Sequence, residues 1–131
     1  MVRILAGAVV GALVWFIVVT LLNLGLRYAW PEYHAVEKTM VFTLPMMIAR
    51  LSESGISSIV SGIVAALIGR DRLQPAALAG MILLFIFLPV HYMLWHKFPM
   101  WYHLTFLVSL VVLSALGGRV APVRRRRLQP A

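Results

Sequence analysis

Four apolar runs, at residues 4–26, 40–69, 75–95 and 101–120, occupy most of the chain. Each is long enough to cross a hydrocarbon core of about 30 Å, which takes about 20 helical residues. Inside lipid the backbone has no water to bond, so each run must satisfy its own N–H and C=O groups as an α-helix. The expected fold class is therefore an all-α membrane protein, a four-helix transmembrane bundle. The connections are too short for a separate soluble domain, so residues 1–131 read as a single domain ending in a basic tail at 121–131. Composition agrees: 62% of residues are hydrophobic and 12% charged, against about 45–50% and about 25% in soluble domains. The first run is too long for a signal-peptide core of about 7–15 residues, and no A-x-A-like site follows it. It reads as the first spanning helix.

With both termini on the cytoplasmic side, that side collects Arg3, Arg70, Arg72, Arg119, Arg124, Arg125, Arg126 and Arg127, while the other holds only Arg27, Lys38 and Lys97. This asymmetry follows the positive-inside rule. Aromatic residues agree independently. Tyr28, Trp30, Tyr33, Tyr92, Trp95, Trp101 and Tyr102 gather at the outer end, the headgroup level that Trp and Tyr prefer. All four histidines lie there too. Trp15 is the exception, mid-helix, where its indole N–H needs a partner. The expected location is a bacterial-type inner membrane, multi-pass, with both termini cytoplasmic.

The first helix carries Gly7-x-x-x-Gly11 beside Ala8 and Ala12. Small residues at this spacing let helices approach closely, either within the chain or at a homodimer face. In the outer connection, Pro31 suits the first turn of a short helix. The second run is the unusual one. Thirty helical residues span about 45 Å, more than a bilayer core needs, so Pro45 is expected to kink or divide it. Residues 40–49 would then lie in the interface and 50–69 make the crossing.

That crossing holds Arg50 and Glu53. A central Arg or Asp costs about 2.5–3.5 kcal/mol on insertion, and an intramembrane charge is by default a candidate functional site. Three residues apart, the two share a helical face and are expected to pair. Ser54, Ser58, Gly62 and Ala66 form one small-residue row, and Ser57, Ser61, Ala65 and Gly69 a second. Two adjacent rows imply close packing on a broad face, or else a polar stripe beside a water-filled path.

Asn23, Arg50, Glu53, His91 and His103 all fall in the outer third of the bundle, from four different helices. With Ser54 and Ser57 they form the candidate binding or ion-path set. One reading is structural: the polar groups fix a single packing arrangement. The runner-up is a proton- or cation-coupled path through Glu53, which needs an oligomer because four short helices enclose little space. A third places haem or metal at His91 and His103, with Glu53 or His96 as a further ligand. No His-x-x-x-His or Cys-x-x-Cys-His spacing supports it, so neither metal nor cofactor is expected. The chain has no cysteine, which excludes disulfides, thiol redox chemistry and Cys-ligated zinc. No nucleophile motif or phosphate loop argues for an enzyme.

In size and helix number the chain resembles small multidrug-resistance transporters and fluoride channels. The former keep an essential glutamate in the first helix, which has no acid here. The latter carry an Asn-rich second helix and a Thr-Phe-Ser-Thr-Phe signature in the third, both absent. No residue role transfers from either. Arg124, Arg125, Arg126 and Arg127 are expected to contact anionic lipid headgroups, at about 1 kcal/mol each near the surface. Nucleic acid is not an expected partner, since no folded reader accompanies the run. The function expected is that of a small structural or accessory membrane protein.

Overall fold

The computed structural model describes residues 1–123, so the proposed lipid-contacting Arg124, Arg125, Arg126 and Arg127 lie outside the described residues. Its helices are α1 (Val2–Ala29), α2 (Pro31–Val36), α3 (Leu44–Gly69), α4 (Gln74–Met93) and α5 (Met100–Val120). Four of them, α1, α3, α4 and α5, are long and apolar enough to cross a membrane. The short α2 begins at Pro31 as expected, because proline's missing N–H is no loss in a first turn.

Pro45 does not kink the second run. Helix α3 starts at Leu44, which leaves Pro45 in its first turn and Met40–Thr43 outside any helix. Proline's fixed φ suits a helix start. The chain turns into α3 through Met40, at φ 56°. Arg50 and Glu53 therefore belong to one continuous 26-residue helix rather than to a segment beginning at Arg50.

Consecutive long helices run in opposite directions, so the bundle has two distinct ends. Arg3, Arg70, Arg72 and Arg119 meet at one of them. There the backbone of Arg3 approaches Gly69, and Gly118 packs against the Arg72 carbonyl. Arg70 closes α3 in the left-handed conformation, with φ 54°. The Asp71 carboxylate then accepts from the Leu73 and Gln74 N–H groups, each at 2.9 Å. The Gln74 and Leu73 N–H groups hold that carboxyl below its ordinary range. The other end carries the tyrosines, the histidines and every tryptophan but Trp15.

Helix α3 lies against α1, α4 and α5. Both small-residue rows of α3 are buried along their length. A methyl group added at Gly11 would sit 2.8 Å from the Ser61 carbonyl oxygen, and one at Gly62 would overlap the Ser114 carbonyl. The helix axes are thus as close as side-chain-free surfaces allow, the kind of contact through which membrane helices associate by dispersion and buried hydrogen bonds. The Gly7-x-x-x-Gly11 face is buried against α3, at Ala65 and Gly69, so intrachain packing occupies it. Larger side chains fill the middle of the bundle, where Ala12, Trp15, Leu83, Phe106 and Leu110 form one core cluster. Outward-facing residues such as Leu13, Ile17, Leu21, Phe85 and Val108 are exposed and apolar, as a lipid-facing surface requires.

Candidate functional site

Arg50 anchors the polar network at the aromatic end. Its Nη1 donates to the Tyr33 hydroxyl at 2.8 Å and its Nε to the Tyr102 hydroxyl at 3.3 Å. Its guanidinium lies over the Phe42 ring, 4.7 Å from the centroid, an attractive cation–π placement. Tyr33 in turn donates to Asn23 Oδ1, and Asn23 Nδ2 donates to Glu37 Oε1, each at 2.9 Å. Glu37 Oε2 sits 2.6 Å from Arg27 Nε, although that N–H is not aimed along a hydrogen-bond direction. One continuous chain of contacts thus links α5, α3, α2, α1 and the connection after α2.

Two groups in this chain lie outside the long helices and have displaced acidities. Burial pushes the Tyr33 phenol above its ordinary value despite the neighbouring Arg50. Burial also acts to raise Glu37. The Asn23 hydrogen bond and the Arg27 guanidinium outweigh it and hold the Glu37 carboxyl below its ordinary value.

The expected Arg50–Glu53 pair is not among the ion pairs of the described residues. The two do share a face, but helical side chains lean toward the helix N-terminus. Arg50 therefore reaches toward the aromatic end, where two tyrosine hydroxyls accept its protons. Glu53 is nearly one turn deeper and borders a cavity. Its Oε1 is buried without a hydrogen-bond partner.

The cavity measures about 320 Å³ and is walled by α1, α3, α4 and α5. Asn23, Arg27, Arg50, Glu53 and Ser54 form its polar side. Trp15, Phe16, Phe87 and Phe106 form its aromatic side. Trp15 stands edge-on to Phe87 at 5.0 Å, and Phe87 is edge-on to Phe106 at 5.1 Å. Phe16 and Thr20 reach the protein surface at the rim. Trp15 itself is 2% exposed. Its indole N–H donates to Ser58 Oγ at 3.1 Å, which is the partner its mid-helix position demanded. Ser58 Oγ donates to the Ser54 carbonyl at 2.8 Å. The Ser54 hydroxyl, on the cavity wall, is buried with no partner.

His91 and His103 face each other across α4 and α5, with Nδ1 to Nδ1 at 2.7 Å. His103 Nε2 lies 3.3 Å from the Trp95 carbonyl. A carbonyl only accepts, so His103 carries its proton on Nε2 and accepts at Nδ1, and His91 donates from Nδ1. The pair is not part of the cavity wall. Phe106 and Tyr102 border the cavity and also touch His91, Phe106 tilted against it with centroids at 4.6 Å and Tyr102 stacked at 6.2 Å. Among the described residues no three His, Asp or Glu side chains converge as a metal-ligand set.

Of the sequence candidates, Asn23, Arg50, Glu53 and Ser54 converge on the cavity. His91 and His103 form a neighbouring pair. Ser57 turns back on its own helix, donating to the Glu53 carbonyl at 2.7 Å. Tyr33, Tyr102, Glu37 and the aromatic wall were not foreseen. A buried arginine needs acceptors at its own depth, and that requirement was the signal pointing to the two tyrosines. Compared with protein-family models, with curated proteins and with solved structures, the chain matches none.

Proposed function

We propose that this is a small multi-pass protein of a bacterial-type inner membrane, with both termini cytoplasmic and a structural or accessory role rather than a catalytic one. The observation that carries this proposal is the one-ended cavity. Toward the basic end, Ser58 accepts from Trp15 and donates to the Ser54 carbonyl, and Ser61 donates to the Gly11 carbonyl at 2.7 Å, while the Ser114 hydroxyl is buried singly without a partner. Beyond them the glycine contacts close the helices onto one another. The described residues of a single chain arranged so offer a bordered recess but no polar route from end to end. The basic end, with Arg3, Arg70, Arg72 and Arg119, suits anionic headgroups, and the Arg124 to Arg127 run extends the same chemistry. Self-association as a homodimer belongs to the proposal through the exposed apolar faces, since the Gly7-x-x-x-Gly11 face is occupied. Nucleic acid has no part in it.

A second reading, a proton- or cation-coupled small transporter acting as an oligomer, is favoured by the unpartnered buried oxygen of Glu53. An intramembrane carboxylate facing a cavity is a recurrent mark of such a path. Proton and cation flux into liposomes separates the two. The accessory role predicts no flux above protein-free vesicles for wild type or Glu53→Gln. Flux that disappears in folded Glu53→Gln replaces it with the transport reading.

A further inference from the structure

The cavity has a chemical preference that neither role requires. Of the charged groups on its wall, two are already engaged. Arg27 lies against Glu37, and Arg50 is held by Tyr33, Tyr102 and the Phe42 face. The third, Glu53, has a buried oxygen with no donor, and beside it the Ser54 hydroxyl is also unpartnered. A buried carboxylate oxygen without a donor is costly and is relieved by a charge-assisted hydrogen bond. Trp15, Phe16, Phe87 and Phe106 also line the cavity, four rings bordering one space. Aromatic faces attract cations, and most strongly where water is excluded. A carboxylate acceptor and aromatic rings bordering one space are complementary to an organic ammonium group with N–H donors. An anion would face Glu53, while Arg50 is held by its hydrogen bonds and Arg27 faces Glu37, its Nε making no hydrogen bond. At about 320 Å³ the cavity lies at the small end of ligand pockets, which run from about 300 to 1,000 Å³. It holds a small amine or the head of a larger amphiphile, whose apolar part can leave past Phe16 and Thr20 at the rim.

We infer that the cavity bordered by Glu53, Ser54 and the Trp15–Phe16–Phe87–Phe106 rings is a binding site for a protonated amine on an apolar body. Glu53 accepts the N–H bonds, Ser54 accepts a further one, and the rings hold the apolar portion. Two sources offer this chemistry: a free aryl or alkyl amine, and the ethanolamine headgroup of a bilayer lipid. The site needs the one-ended cavity but not the absence of flux, so flux and binding experiments fail independently.

The test is calorimetric titration of the whole chain in phosphatidylcholine nanodiscs with benzylammonium and with benzyl alcohol, which has the same ring and no charge. Benzylammonium is expected to bind wild type at least tenfold more tightly than benzyl alcohol. Glu53→Gln, which keeps shape and removes charge, is expected to lose at least tenfold in benzylammonium affinity. Native mass spectrometry then separates the sources. Phosphatidylethanolamine retained over phosphatidylcholine by wild type, and lost in Glu53→Gln, assigns the occupant to the bilayer. Benzylammonium binding without lipid preference assigns it to a free amine. Wild type binding benzylammonium no more tightly than benzyl alcohol overturns the inference whether or not the variant folds. So does a folded Glu53→Gln with unchanged affinity.

Discussion

Tyr33 is fully buried, and its hydroxyl both accepts from Arg50 and donates to Asn23. Tyr33→Phe keeps the ring against Trp30 and Phe42 but leaves a guanidinium N–H and an amide oxygen without that partner. Tyr102→Phe removes one longer bond from the same guanidinium. Polar contacts between membrane helices average about 0.6 kcal/mol and reach about 1.7, while bonds to charged groups elsewhere contribute about 1.5–3 kcal/mol. Tyr33→Phe is therefore expected to cost about 1–2 kcal/mol and Tyr102→Phe about 0.5 kcal/mol. Unfolding in mixed micelles with rising denaturing detergent measures both, and equal costs would show that the double role of Tyr33 carries no weight. Trp15 was readable from sequence because its need for a partner mid-membrane is a property of one residue. Arg50 was only half readable. Spacing states which residues share a face with it, but not which way its long side chain leans. Tyr33 and Tyr102 were hidden among other tyrosines that mark the membrane interface.

Among the elements, α3 was the most legible because its two small rows are periodic over four turns. Their burial follows from spacing alone. Its start was not legible, because Pro45 inside an apolar run has the same sequence signature whether it breaks a helix or opens one. The rows make a contrast that can be measured. A methyl group at Gly62 would overlap the Ser114 backbone carbonyl, whereas one at Gly25 meets nothing within 4 Å. Gly62→Ala must push α3 and α5 apart and is expected to destabilise by about 1–3 kcal/mol, the usual range for overpacking. Gly25→Ala gains helix propensity and is expected to stabilise by up to about 1 kcal/mol. Thermal unfolding in detergent tests the pair, and a neutral Gly62→Ala would mean the two helices are not in contact there. Helix α2 depends on charge instead. The Glu37 carboxyl sits below its ordinary 4.5 in the folded chain, so its contribution is complete above the unfolded value. That contribution is lost as pH falls through the lower folded value. Between about pH 6 and about pH 3, a window that spans the carboxylate range, hydrogen exchange in α2, corrected for intrinsic rates, should rise relative to α5. Glu37→Gln should remove that difference, and its persistence would assign the effect to another group.

At the scale of the whole molecule, two asymmetries point along the same axis. Arg3, Arg70, Arg72 and Arg119 come together at one end of the bundle through three separate stretches of chain, so the basic end belongs to the fold and not to a single loop. The aromatic end holds Arg27, Lys38 and Lys97, with Arg27 already in an ion pair with Glu37. Basic residues near short loops resist translocation, so the basic end is expected on the cytoplasmic side and the cavity near the opposite surface. Because the chain contains no cysteine, single cysteines report orientation without background. Ala35, in α2, and Leu73, in the α3–α4 turn, are both exposed and lie at opposite ends. In intact cells, a membrane-impermeant maleimide should label Ala35→Cys directly and Leu73→Cys only after permeabilisation. The reverse pattern would invert the bundle and open the Glu53 cavity toward the cytoplasm. Neutralising Arg3, Arg70, Arg72 and Arg119 together should then give a mixed pattern, because the remaining bias would rest on the arginine tail alone. A pattern unchanged by all four substitutions would identify that tail as sufficient to set the direction in which this bundle is inserted.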